Sequence, residues 1–168
     1  QVSGTSATIT AGIDYTAPAS LQNAFMRITN TQITGAGNNV GGAQNADDVT
    51  IYISNPQNLL SSITFTRPST AVSNTFVSWE IIEYIGPVGG ANEIIVRSQN
   101  TVTYSSTSTT VSSISIPGII SDTEIVPFIT GQFNPDTARA DYNTGISTAA
   151  WNSITDQIVF TRGEAGSD

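Results

Sequence analysis

The sequence predicts an all-β protein, an antiparallel β-sandwich of Ig-like or jelly-roll-like form built from two related β-modules. Three observations carry that expectation. The apolar set holds 21 Ile and 11 Val against 3 Leu, and β-branched side chains lose rotamer freedom in helices but pack well on pleated sheets. Ser and Thr together number 44, and 14 Gly with 7 Pro interrupt the chain at short intervals, as many short strands joined by turns require. Finally, Ile63-Thr-Phe-Thr-Arg67 returns as Ile158-Val-Phe-Thr-Arg162, and an internal repeat bounds the architecture before any single element does.

Taken in order, residues 5–11 read as a short polar edge strand that Gly12 and Pro18 break. Ala24 to Asn30 alternates Met26 and Ile28 with Phe25, Arg27 and Thr29, and leads into a long Gly- and Asn-rich loop, 35–48, without apolar period. Val49, Ile51 and Ile53 alternate with Thr50, Tyr52 and Ser54, a half-buried strand ended by Asn55-Pro56, and Ile63 with Phe65 continues the pattern before Arg67-Pro68. The most strongly specified stretch is Val77 to Ile85. Val77, Trp79, Ile81 and Ile85 share one face and Ser78, Glu80, Ile82 and Tyr84 the other, so this is a central strand with Trp79 as its core anchor. The turn Gly86-Pro-Val-Gly-Gly90 and the run Asn92 to Ser98 predict a hairpin return beside it.

Thr101 to Ser113 is almost pure Ser, Thr, Tyr and Val and is expected to be extended. Ile114–Pro117 and Ile125–Thr130 read as further strands, with Pro127 placing the second at an edge or bulge. A second long loop spans 131–144; Ser147 to Ile154, around Trp151, predicts one helical turn with Ser147 as N-cap, and Gln157 to Arg162 is the last strand.

The repeat spacing is about 95 residues, since Ile33-Thr-Gly35 and Ile129-Thr-Gly131 precede the two Phe-Thr-Arg motifs by 32 and 31 positions. Modules of 1–98 and 99–168 follow. The second has no counterpart of the central strand, so it is expected to be completed by a similar segment past Asp168 or by another chain. The start at Gln1 without Met points to a removed leader or a preceding part.

Composition excludes much chemistry. There is no Cys, His or Lys, and five Arg face thirteen acidic residues for a net charge of −8. A thiol nucleophile, a disulfide framework, an imidazole base and a zinc site of the usual nitrogen or sulfur type are all ruled out. Scattered Arg in an acidic chain argues against a nucleic-acid partner, and no apolar run reaches the roughly 20 residues that span a bilayer.

Certain residues carry a resemblance. Gln1-Val-Ser-Gly-Thr-Ser-Ala-Thr-Ile, Ala24-Phe-Met-Arg-Ile, Ser62-Ile-Thr-Phe-Thr-Arg-Pro68, Val77-Ser-Trp-Glu-Ile-Ile-Glu-Tyr84 and Ile95-Val-Arg97 resemble tandem β-modules of tailed-bacteriophage virion structural proteins, of decoration or fibre type. There a Thr-Phe-Thr-Arg-like strand precedes a Val-x-Trp-x-Val-Val-Glu-Phe-like strand. Where that family often closes a module with a Val-Gln-Arg-Gly-like turn, this chain reads Ile94-Ile-Val-Arg-Ser98. The resemblance covers about 1–97 well and the second half in part. It implies a virion structural protein on the exterior of the phage particle, a capsid decoration, cement or fibre module whose partners are coat or tail proteins. It brings no catalytic residues, no cofactor and no metal.

Several residues invite a sharper reading. Glu80 and Glu83 flank Trp79's strand like a carboxylate pair, but residues three apart on a strand point to opposite faces and cannot flank one bond. They are expected instead at an interface, paired with Arg67 or Arg97. Asp47, Asp48, Asp136 and Asp141 fall in the two long loops and raise Ca²⁺ as a ligand, without the spacing of a known Ca²⁺ loop. The glycine runs 35–42 and 86–90 have no Lys and no following helix, so they are turns rather than phosphate cradles. Tyr142 and Trp151 are the candidates for glycan or subunit contact, with Glu80 and Arg97 as polar contacts. The alternative to the virion reading is therefore a carbohydrate- or receptor-binding β-sandwich. Unpaired strand edges imply a homo-oligomer, with a trimer expected from the threefold positions that phage decorations and fibres occupy.

Overall fold

The computed structural model describes residues 1–34, 51–67, 74–105, 108–113, 115–116, 118, 125–131 and 147–163. These residues are mostly β-strand, with antiparallel ladders throughout and a single 3₁₀ turn at Pro56–Asn58. Eight strands follow in order: β1 (Ser6–Thr10), β2 (Ala24–Thr34), β3 (Tyr52–Ile53), β4 (Ser62–Thr66), β5 (Asn74–Glu83), β6 (Thr110–Ser112), β7 (Ser147–Asn152) and β8 (Gln157–Arg162).

They form three sheets, ordered β1-β4-β3, β2-β5 and β6-β8-β7. The alternation read from the sequence sets the inner faces. Ile63 and Phe65 of β4 are buried while Thr64 is not, and Ala24 and Met26 of β2 are buried while Phe25 and Arg27 are not. Val2, Ala24, Met26, Ile51, Ile53, Leu59, Ile63 and Phe65 make one core, against which Ile28, Val77, Trp79 and Ile81 pack, so the β2-β5 sheet and the β1-β4-β3 sheet share it. Trp79 is half-buried at its edge, with its ring 6.5 Å from Phe65 and edge-on to Tyr15 at 6.0 Å. β1 lies at a sheet edge as expected and ends where Gly12, at φ +80°, takes the left-handed turn.

Six expectations are corrected. The run Asn92–Ser98 is not a strand and does not return along β5; β5 pairs with β2 instead, over ten register positions with a bulge at Thr29. That ladder sets Met26 against Ile81, Ile28 beside Trp79 and Arg27 against Glu80. The Gly-rich turn closes on itself through Tyr84 Oη and Gly90 N–H, both donating to the Pro87 carbonyl, and Val96 N–H reaches the Gln22 carbonyl. Ile85 lies beyond the strand end and is 89% exposed rather than part of the apolar face.

The helical turn at Ser147–Ile154 is in fact β7 and the turn after it. Ser147, Ala149 and Trp151 are half-buried and Thr148 and Ala150 exposed, a period of two. Six pairs with β8 outweigh the weak helix preference of two alanines. Asn152 Oδ1 accepts from Ile154 N–H, and Asp156 closes the turn at φ +52°. Ile125–Thr130 carries no strand, and neither do Ser115 and Ile116; Ile114 and Pro117 lie outside the described residues. The strand read at 49–54 is confined to Tyr52–Ile53 among the described residues.

The two Phe-Thr-Arg strands take the same place in their sheets. In both three-stranded sheets the chain order is first, third, second, with the Phe-Thr-Arg strand in the middle. Phe65 faces Ala7 and Ile53, and Phe160 faces Val111 and Ala149. Arg67 N–H donates to the Thr5 carbonyl and its Nε to Gly4; Arg162 N–H donates to Thr109 and its Nε to Ser108. Each arginine thus ties the end of the middle strand to the residues that lead into the first.

Candidate interaction surface

The site residues expected from the sequence do not converge. Glu80 projects from β5 onto the face opposite the core and forms an ion pair with Arg27, its neighbour across the ladder. The Glu83 carboxylate accepts from Ala19 N–H at 2.6 Å. Neither is paired with Arg67, which is buried, or with Arg97. The Arg67 side chain is 1% exposed, with Nη1 donating to Thr75 Oγ1 at 2.8 Å. Arg97 is exposed, forms no ion pair among the described residues, and borders a shallow cleft of about 160 Å³ with Leu21, Gln57 and Gln99. Trp151 is a strand residue opposite Ile158 and half-buried. Tyr142, both long loops beyond Gly131 and before Ile51, and Asp47, Asp48, Asp136 and Asp141 lie outside the described residues. Among the described residues no group of three or more acidic side chains could hold a metal ion, and no helix is long and apolar enough to cross a membrane.

Among the described residues, Arg67, Thr75 and Arg162 are buried polar residues, and each is used internally. Arg162 is 9% exposed, its Nη2 donates to the Ser105 carbonyl, and its guanidinium sits 4.8 Å from the centre of the Tyr104 ring. The signal for this pair was present in the sequence as the repeated Thr-Arg closing an apolar alternation. Its burial was not, because a lone Arg is normally solvated.

Several large apolar side chains stand outward among the described residues. Ile13, Ile85, Val88 and Ile154 stand at turns with exposures of 82, 89, 89 and 93%, and Val126 and Phe128 on the irregular 125–131 segment are 67 and 57% exposed. Phe128 stacks on the outward-facing Phe25 at 5.4 Å. Side chains of this kind at turn tips gain from covering by another protein surface. Comparison of the chain with protein-family models, with curated proteins and with solved structures finds no match.

Proposed function

We propose that this chain is a bacteriophage virion structural protein, a capsid decoration, cement or fibre module on the exterior of the particle that acts by protein–protein contact. On this reading it is not an enzyme, and it folds as two related β-modules, 1–98 and 99–168, of sandwich type. The observation that carries the reading is the duplicated three-stranded sheet with its arginine tie. A repeated β scaffold whose buried Arg67, Thr75 and Arg162 are used within the fold has its surface left over for function. The apolar turn tips and the resemblance of 1–97 to virion modules point the same way. Partners are then coat or tail proteins and further copies of the chain, with a trimer as the expected assembly.

Light scattering on the isolated chain, with labelled antibody on purified virions, tests this. A trimer and a labelled particle surface are the expected results. A stable monomer that labels no particle but binds a soluble glycan tightly would overturn the proposal in favour of a carbohydrate-binding module.

A further inference from the structure

Arg97 is unlike the other arginines. Arg27 is ion-paired with Glu80, and Arg67 and Arg162 are buried and donate to main-chain carbonyls. Arg97 is exposed and makes no ion pair or hydrogen bond among the described residues, and Arg139 lies outside them. Its place is nevertheless fixed by the residues on either side. Val96 N–H donates to the Gln22 carbonyl at 2.6 Å and Gln99 Nε2 to the Ala24 carbonyl at 3.0 Å, so 96–99 is pinned against the residues that lead into β2.

The pinned segment lines the cleft of about 160 Å³ together with Leu21 and Gln22 and with Gln57, which belongs to the 3₁₀ turn. Half-buried Leu21 and Val96 supply its apolar surface. The side-chain amides of Gln22 and Gln57 make no hydrogen bond among the described residues, and each has two N–H groups to give. The complementary acceptor is missing from the lining. Thirteen acidic residues are present in the chain, yet none lines the cleft, and Glu93, the nearest to Arg97 in sequence, accepts from Gly89 N–H at 2.9 Å instead.

We propose that this cleft binds a carboxylate carried on a short stem. A guanidinium presents two parallel N–H groups that match the two oxygens of a carboxylate, and such a bidentate pair is among the stronger polar contacts at a protein surface. The Gln22 and Gln57 amides supply further donors, and Leu21 and Val96 receive the apolar stem. Size limits the ligand. At roughly 30 Å³ per water the cleft has room for about five waters, enough for a carboxylate with a few carbons and well below the several hundred Å³ of a pocket that encloses a drug-sized molecule. The same group is carried by the Glu side chain of a docked protein and by a free short-chain acid. This inference rests on the composition of the cleft and not on the virion reading.

The test uses the full chain labelled with ¹⁵N and three probes added at constant ionic strength: glutamate blocked at both ends, butyrate, and blocked glutamine as the uncharged control. Saturable shifts of the Val96–Gln99 amides and of the Gln22 and Gln57 side-chain NH₂ signals are expected with the two carboxylates and not with blocked glutamine. Tighter binding of blocked glutamate assigns a protein side chain as the source of the carboxylate, and equal or tighter binding of butyrate assigns a free acid. Arg97→Gln should weaken the binding by roughly tenfold or more, the worth of a hydrogen bond to a charged group, with Tm unchanged because the side chain has no partner to lose. No saturable shift, the same shifts with blocked glutamine or with chloride, or undiminished binding by Arg97→Gln would overturn the proposal.

Discussion

Phe65 and Phe160 occupy the same position in the same motif, in the middle strand of sheets with the same order, yet Phe65 is buried and Phe160 only half-buried. The same holds for Ile63 and Ile158. The difference is the covering layer. In the first half β2 and β5 place Met26, Ile28, Val77, Trp79 and Ile81 over the sheet, whereas among the described residues of the second half Ile116 is the one buried apolar side chain. A strand motif therefore specifies its ladder and its arginine tie locally, but burial is decided by what a second sheet lays across it.

The largest effect that sharpens this contrast is truncation of the two aromatics. Phe65→Ala should cost about 3 to 5 kcal/mol, as large-to-small changes in a closed core do, while Phe160→Ala should cost about 1 to 2 because less area leaves water on folding. Denaturant melts of the two variants measure both. Equal costs would mean that the second sheet is covered in solution as fully as the first.

The arginine ties predict the opposite relation. Arg67→Met and Arg162→Met each remove at least two side-chain bonds from a guanidinium, and at roughly 1.5 kcal/mol per charge-assisted bond each variant should lose about 3 kcal/mol or more. Since the halves need not unfold together, native-state hydrogen exchange at β4 and at β8 is the appropriate readout. A loss confined to Arg67→Met would show that the tie matters only under a closed core.

Trp79 tests the covering layer from its other side. It is half-buried and touches both Tyr15 and Phe65 by ring contacts, so Trp79→Ala is expected to cost about 2 kcal/mol, below the full-core range. The loss should appear in exchange of β4 and β5 amides and leave β7 and β8 unchanged.

The strands most legible in sequence were those whose partner does not alter their pattern. β1, β2, β4, β5 and β8 all announce themselves by alternation at period two, and the repeat announces the matching sheets. What failed were choices of partner. Residues 92–98 have strand composition, but β2 offers β5 an apolar ladder and the Arg27–Glu80 pair, and no local pattern states that preference. Residues 147–152 carry Ala149-Ala150, which favours a helix in isolation, and only the β8 edge overrides it. For the interaction surface, sequence singled out Glu80 by its neighbours and missed that Arg27 lies across the ladder, since cross-strand register is not readable from one strand. It also placed Arg67 at an interface, where the structure has it buried against backbone carbonyls.

The smallest predicted effect lies at Tyr15, which joins the 3₁₀ turn region to the Trp79 edge of the core. Its hydroxyl donates to the Leu59 carbonyl at 2.8 Å, and burial pushes its pKa above the ordinary 10.0. Tyr15→Phe should cost about 1 kcal/mol near neutral pH, the net worth of one hydrogen bond whose carbonyl partner stays behind. The sign of the pH effect follows from linkage. The folded state holds the phenolic proton to higher pH than the unfolded chain does, so this contribution is fully present below pH 10.0 and is lost as pH rises through the raised folded value. The native protein should therefore lose stability more steeply than Tyr15→Phe above pH 10.0, the other tyrosines being common to both. Urea melts of the two proteins across that window decide it: parallel curves would place the Tyr15 hydroxyl in solvent, and with it the Trp79 edge of the first half's core.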